Sequence, residues 1–150
     1  VADVYAAGDV AEGIDSSTGK RAVNAIQPTA VEQARVAALN MAGRHVESSG
    51  NLTLNVLDTL GLVSTSFGKW WSEPGGQSAE LVDEREFRYL SLQFGGDVLV
   101  GATAIGLTEH VGVLRGLIGG RVRLGPWKDR LIANPLEVVE AYLARGVQVA

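Results

Sequence analysis

Cysteine is absent from the 150-residue sequence, and this absence removes several kinds of site. No disulfide, cysteine nucleophile, iron–sulfur ligation or zinc–thiolate site can come from this chain. Histidine is scarce as well, because His45 and His110 are the only two and stand more than sixty positions apart. The sequence therefore predicts no metal site. A chain without cysteine is compatible with a cytoplasmic location, which is our expectation.

Clusters of positive charge and long apolar runs are also missing. The net charge is −4 and no block of lysine or arginine occurs, so we expect no nucleic-acid partner. No apolar run reaches the roughly 20 residues of a membrane-spanning helix, so we expect no membrane partner. Apolar residues make up 46% of the chain and charged residues 20%, as in ordinary soluble domains with a sizeable core.

Nucleotide-binding fingerprints are the third absence. No Gly-x-Gly-x-x-Gly motif follows a strand pattern, and no P-loop is present. The glycine pairs Gly75-Gly76 and Gly119-Gly120 stand in turn patterns instead. The sequence therefore contains no pyrophosphate-binding loop.

What the sequence does contain at its start is a short apolar segment followed by Gly8-Asp9. Residues 1–7 predict a strand buried on both faces of a parallel sheet. Gly8 allows a tight turn or a close approach of the backbone to a ligand. Asp9 places a carboxylate at the carboxyl end of the strand, where ligands bind in open α/β sheets. Such a carboxylate repels a pyrophosphate but accepts hydrogen bonds from sugar or ribityl hydroxyls.

A helix is predicted about twenty residues further on. Thr29 and Glu32 have the spacing of a capping box, with Pro28 just before it and Gly43 at the end. Alanine-rich apolar positions recur at helical spacing and predict a face packed on a sheet: Val31, Ala34, Ala38 and Met41. By itself this pattern indicates a core helix. Together with Gly8-Asp9, its N-terminal amides near Ala30 and Val31 become a candidate site for the electron-rich edge of a ligand.

Four stretches of this first segment carry a resemblance to a known family: Tyr5-Ala6-Ala7-Gly8-Asp9-Val10-Ala11, Asn24-Ala25-Ile26, residues 29–38, and Asn40-Met41-Ala42-Gly43. They resemble the second FAD-binding motif of the two-dinucleotide-domain flavoprotein oxidoreductases. The resemblance implies FAD as cofactor and NAD(P)H as co-substrate. It implies that Asp9 holds the ribityl chain and that the helix points its N-terminus at the flavin ring. The expected cofactor-binding residues are Gly8, Asp9, Thr29, Ala30 and Val31.

After residue 50 the pattern changes to antiparallel β. Strands are predicted over residues 52–57 and 62–67, and a hairpin over 84–106 turns at Gly95-Gly96-Asp97. Helices are predicted after Thr108, as N-cap, and from Asn134-Pro135-Leu136-Glu137 to Gly146, with Asn134 as cap and Pro135 in the first position. The adjacent Trp70 and Trp71 predict at least one exposed indole, either at a partner or subunit interface or packed on a loop.

This second segment is similar to the C-terminal domain of NADH–rubredoxin reductases and of the flavoprotein part of nitrite reductases. The similarity lies in residues 51–53, 61–62, 88–90, 97–102 and 117–118. The expected fold is therefore α+β: the end of an FAD-binding α/β domain over residues 1–45, then an antiparallel sheet with helices on one side over 50–150, serving as an interface or cap domain. A C-terminal His-Pro pair, which the disulfide reductases of this superfamily share, is absent, so no catalytic residue is expected in this chain.

Two hypotheses follow. In the first, the chain is the C-terminal part of a flavoprotein oxidoreductase that passes electrons from NAD(P)H through FAD to an unidentified acceptor. Its partners would be the rest of the parent flavoprotein, a second copy of the chain and a redox-protein acceptor. In the second, it is a non-catalytic oligomerisation or partner-binding module. Under the first, we expect the chain alone to be inactive and to bind FAD weakly or not at all, because the pyrophosphate-binding loop is missing. The strand over residues 1–7 would then pair with another chain, join a different sheet or lose its order.

Overall fold

The computed structural model describes residues 3–72 and 74–145 and divides between Leu54 and Asn55 into two compact units. In the first unit, β1 (Gly13–Ile14) and β2 (Arg21–Ala22) form a short antiparallel hairpin, and α1 (Gln27–Met41) follows. This hairpin is not among the elements predicted from the sequence. The hairpin is joined to the end of the unit, where Asp15 forms a parallel bridge with Asn51.

The strand predicted over residues 1–7 is not formed in its described part. Residues 3–7 have no strand conformation, and Asp3 has a φ of +61°. A strand exists only when a neighbour pairs with its backbone, and no described segment of this chain pairs with residues 3–7. Residues 1 and 2 of the prediction lie outside the described residues.

The predicted capping box at Thr29 is wrong. The helix α1 begins earlier, with Ile26 as N-cap and without a side-chain cap, and Pro28 lies in its first turn. Thr29 is therefore a buried residue inside the helix. Glu32 does not reach back to a capping residue, because Arg35 holds its carboxylate through two hydrogen bonds of 2.8 and 2.9 Å.

The apolar face predicted for α1 is not buried in this chain. Val31 is 61% exposed and Met41 is 67% exposed. Ala34 and Ala38 on the same face are exposed as well. The helical period was correct, but no described part of the chain covers this face.

The second unit is built on a five-stranded antiparallel sheet in the order β3-β4-β7-β6-β5. The strands are β3 (Leu54–Thr59), β4 (Leu62–Gly68), β5 (Gln77–Asp83), β6 (Arg88–Gly95) and β7 (Val98–Ile105). The predicted hairpin is confirmed, since β6 and β7 pair around Gly96 and Asp97, with a register shift after Gln93. The sequence did not predict β5.

The helices of this unit are α2 (Val111–Gly119), α3 (Trp127–Ala133) and α4 (Val138–Arg145), with a 3-10 turn over Pro135–Glu137. The predicted cap at Asn134 is confirmed, because its side chain accepts a 3.2 Å hydrogen bond from the Leu136 amide. The predicted cap at Thr108 is wrong, since α2 starts after His110. The predicted helix end at Gly146 lies outside the described residues, and α3 was not predicted.

The core of the second unit lies between the sheet and these helices. Its largest fully buried side chains are Phe67, Leu92, Leu99, Leu114, Leu117, Leu124, Leu131 and Val138. Leu143, on α4, lies outside this core and is 62% exposed. The predicted α+β class, with helices packed on an antiparallel sheet, is confirmed. No helix in the described part of the chain has the length and apolar character needed to cross a membrane.

Candidate functional site

The Gly8-Asp9 pair forms a tight turn at the surface. The Ala11 amide donates a 2.9 Å hydrogen bond to the Gly8 carbonyl, so Asp9 and Val10 occupy the centre of the turn. Gly8 has a φ of +85°, which only glycine adopts without strain. Asp9 is exposed, and no hydrogen bond or ion pair engages its carboxylate within residues 3–72 and 74–145. Its oxygens are therefore free to accept hydrogen bonds from a ligand.

The first turns of α1 hold this loop in place. The Gly8 amide donates a 2.8 Å hydrogen bond to Oε1 of Gln33, twenty-five residues away. A Cβ atom at position 8 would lie 3.8 Å from that of Ala30. The structure thus brings Gly8 and Ala30, two of the five predicted residues, close together. Gln33 was not among those five predicted residues. Its position one helical turn after Thr29 puts it on the same face of the helix, and this spacing could have identified it from the sequence.

The N-terminus of α1 offers other amides than the sequence predicted. The Ala30 amide already donates to the Ile26 carbonyl at 3.1 Å, and the Val31 amide lies one residue deeper in the helix. In an α-helix the amides without an intrahelical acceptor are those of the first turn, here Gln27 and Thr29, since Pro28 has none. These two amides carry the positive end of the helix dipole.

Asp15 organises the loop that connects the Gly8-Asp9 turn with α1. Its side chain is 6% exposed and accepts hydrogen bonds from the Ser17 amide at 2.9 Å, the Ser17 hydroxyl at 2.8 Å and the Thr18 hydroxyl at 2.9 Å. Burial alone would raise the pKa of Asp15, but hydrogen bonds from Ser17, Thr18 and Thr53 together lower it below its ordinary value. Asp15 is therefore an ionised structural centre of the first unit.

A pocket of about 280 Å³ lies against the same helix, beside Gln33. It is lined by Tyr5, Ala6, Ala11, Glu12, Gly13, Ile14, Arg21, Gln33, Val36, Ala37, Ser48 and Asn51. None of the five predicted cofactor residues lines it. Gln33 connects the two features, because its side chain borders the pocket and also accepts the Gly8 hydrogen bond.

Trp70 and Trp71 are both about half exposed, at 51% and 46%, so the prediction of at least one exposed indole is confirmed. Their rings meet edge to face with centroids 5.6 Å apart. Trp70 also borders a pocket of about 330 Å³ in the second unit, together with Asn55, Ser66 and Thr103. His45 is exposed and lies 4.0 Å from a Glu47 carboxylate oxygen. Among the described residues, no three side chains of the metal-binding types cluster.

The chain resembles known proteins in sequence and in structure, although no protein-family model matches it. The epsilon subunit of the NADH-dependent phenylglyoxylate dehydrogenase of Aromatoleum evansii is 36% identical over 124 residues. The NADH:rubredoxin oxidoreductase of Clostridium acetobutylicum superposes on 83% of this chain, with a TM-score of 0.57 and 23% identity. Putidaredoxin reductase, in its covalent complex with putidaredoxin, superposes on 95% of this chain, with a TM-score of 0.72 and 15% identity.

The chain has the fold of the FAD-dependent pyridine nucleotide-disulfide oxidoreductases. The resemblance found in the sequence is thereby confirmed for this oxidoreductase fold. The match covers a part of each protein: 81% of this chain but 30% of the phenylglyoxylate dehydrogenase subunit. It covers 31% of the rubredoxin oxidoreductase and 33% of the putidaredoxin reductase. The resemblance to the flavoprotein part of nitrite reductases stays a prediction.

Proposed function

We propose that this chain forms one wall of the FAD site and the interface domain of a longer NAD(P)H-dependent flavoprotein oxidoreductase. The observation that carries the proposal is the hydrogen bond between the Gly8 amide and Gln33, which fixes the Gly8-Asp9 turn against the N-terminal turns of α1. This bond fixes the turn that carries the free Asp9 carboxylate to the helix whose Gln27 and Thr29 amides have no intrahelical acceptor. The similarity to an NADH-dependent dehydrogenase subunit, to an NADH:rubredoxin oxidoreductase and to a putidaredoxin reductase supports it.

The residues of the first unit fit one side of a flavin dinucleotide. The Asp9 carboxylate accepts hydrogen bonds from ribityl hydroxyls, and bonds to a charged acceptor are the stronger kind. The amides of Gln27 and Thr29 suit the electron-rich edge of the ring, where the helix dipole stabilises negative charge. Nothing in the described chain provides for the pyrophosphate.

Within this proposal the chain binds and orients, and supplies no proton-transfer group. When bound, the flavin would supply hydride and electron transfer. The exposed Asp9 would fix the ribityl chain, and through it the position of the ring against the amides of α1. We propose a redox protein, or a further centre of the same assembly, as the electron acceptor.

The first test compares the isolated chain with the longer polypeptide. We expect the isolated chain to lose added FAD during gel filtration, because it lacks the pyrophosphate-binding loop. The longer polypeptide should retain a flavin spectrum that NADH or NADPH bleaches. A longer polypeptide without bound flavin, or with flavin that neither nucleotide reduces, contradicts the proposal.

The second test changes Asp9 in the longer polypeptide. Asp9→Asn replaces a charged acceptor by a neutral one of the same shape, so FAD should bind about tenfold to a hundredfold more weakly, as expected for losing a hydrogen bond of roughly 1.5–3 kcal/mol. Asp3→Asn makes the same charge change in the same segment and serves as the control. Fluorescence titration with FAD measures both. Equal affinities of the two variants would remove Asp9 from the site.

A further inference from the structure

Two turns of the second unit place large apolar side chains in water at the same end of its sheet. Leu60, in the turn between β3 and β4, is fully exposed, and Phe87, in the turn between β5 and β6, is 70% exposed. Leu62 lies between them with 39% of its surface exposed. We call Leu60, Leu62 and Phe87 the sheet-end patch. None of these three side chains is buried in the core of this unit, so core packing does not explain why the residues are large and apolar.

Gly106, just after β7, holds the patch together. A Cβ atom at position 106 would overlap the Phe87 carbonyl oxygen and would lie 3.5 Å from Cδ1 of Leu62. The Gly106 amide donates a 3.0 Å hydrogen bond to the Val63 carbonyl. The two turns are therefore fixed on either side of one glycine, and the patch is preformed.

The backbone at both turn tips favours other residues than the ones present. Leu60 and Phe87 have positive φ values of +53° and +52°. Glycine and asparagine adopt this conformation at least cost, while larger side chains are uncommon there. Folding alone would therefore favour Gly or Asn at these two positions, and a large exposed apolar side chain there needs another explanation.

The turns that carry the patch have an excess of negative charge. Asp58, Glu84 and Glu86 are exposed beside it and Asp83 is partly exposed, whereas Arg85 and Arg88 are the positive charges of the same turns. No ion pair engages Glu84 or Glu86 among the residues that the structure describes. A symmetric contact between two copies would bring these carboxylates together, and an anionic membrane or a nucleic acid would repel them.

We propose that the sheet-end patch docks a partner protein whose surface is positively charged around an apolar centre. Interfaces of this kind combine a buried aromatic or aliphatic centre with a polar rim of complementary charge. Phe87, Leu60 and Leu62 form the centre, and Asp58, Glu84 and Glu86 form the rim. The proposal rests on the second unit and does not depend on flavin binding by the first.

The test uses the isotope-labelled full chain and two forms of one probe protein. The first form is a lysine-rich cytochrome c, and the second is the same protein with its lysines succinylated, which reverses their charge. At low ionic strength the first form should shift the backbone NMR signals of residues 58–62, 83–88 and 106. The succinylated form should leave them unchanged, and raising the salt from 20 to 200 mM should weaken binding about tenfold.

Two variants separate docking from folding. Leu60→Asn and Phe87→Gly install residues that the turns favour, so each should fold at least as stably as the parent chain while binding about tenfold more weakly. Leu143→Asn, at an apolar side chain of similar exposure on α4, is the matched control and should bind like the parent. The proposal is overturned if the probe gives no shifts, if the shifts lie elsewhere, or if the two variants bind as well as Leu143→Asn does.

Discussion

At the scale of single residues, the structure separates polar groups that maintain the fold from those that are available to a ligand. Asp15 and Asp9 lie six positions apart and have opposite environments. Asp15 is buried and its carboxylate accepts three short hydrogen bonds, whereas Asp9 is exposed and its carboxylate has no partner in the described chain. Sequence reasoning selected Asp9 from the turn pattern, but could not separate their roles by residue type. The environment of each carboxylate decides its role.

The lowered pKa of Asp15 predicts an acid-sensitive first unit. Because the folded pKa lies below the ordinary value of 3.8, ionised Asp15 contributes stability above that value, and the contribution is lost as the pH falls through the folded pKa. Asp15→Asn should remove about 1 to 3 kcal/mol of local stability at neutral pH. NMR signals of the Ser17 and Thr18 amides, followed from pH 6 to pH 2, measure the effect.

The control for Asp15 is Asp3→Asn, which changes an exposed carboxylate in the same unit. It should keep the acid transition of the parent chain, whereas Asp15→Asn should show none. If the Ser17 and Thr18 signals of the parent chain stay unchanged down to pH 2, Asp15 does not organise the loop.

At the scale of elements, the sequence predicted those whose signals are local. The hairpin of β6 and β7 was recognisable because its strands flank a glycine turn. The helical region that begins at Pro135 was recognisable because Asn134, a favoured capping residue, precedes Pro135. The strand β5 was missed because it lies at the edge of the sheet. Ala79 is the only residue of this strand that is deeply buried in the described chain. The alternation of apolar and polar residues that predicts a strand is therefore weak here. The start of α1 was misplaced because Glu32 binds Arg35 instead of closing a capping box.

The cap at Asn134 gives a prediction for the α3–α4 region. Its side chain accepts from the Leu136 amide and donates to a Glu137 carboxylate oxygen at 3.3 Å. Asn134→Ala should lower the free energy of unfolding by about 0.5–2 kcal/mol, because the amide then lacks its acceptor. Asn134→Ser keeps an acceptor and should lose less. Urea unfolding, followed by tryptophan fluorescence, measures both variants, and equal losses would mean that capping is not the cause.

At the scale of the whole molecule, the two units differ in what holds them together. The deeply buried apolar side chains of the described chain all belong to the second unit, from Phe67 onward, whereas the buried residues of the first unit are the polar Asp15, Thr29 and Asn51. Apolar burial is the main favourable contribution to folding. This difference could not be predicted from the sequence, because the period of α1 shows that an apolar face exists but not what covers it.

Hydrogen exchange should show this difference directly. In the isolated chain, the amides of β6 and β7 should exchange slowly and those of α1 and the β1–β2 hairpin quickly, by about two orders of magnitude or more, since exchange follows local opening free energies. In the longer polypeptide with FAD bound, α1 should gain protection. Mass spectrometry of the exchanged peptides measures it. Equal protection of α1 and β7 in the isolated chain would contradict this account.

Under the proposed function, the exposed apolar face of α1 would also affect how long the protein survives in a cell. A unit that opens easily presents its backbone at Arg21, Arg35 and Arg44 to proteases, while the second unit stays closed around its core. Under the proposed function, cofactor loading would then determine the lifetime of the polypeptide: molecules that have acquired FAD would persist, and empty ones would be cleaved within their first unit. Protein turnover would remove the inactive form.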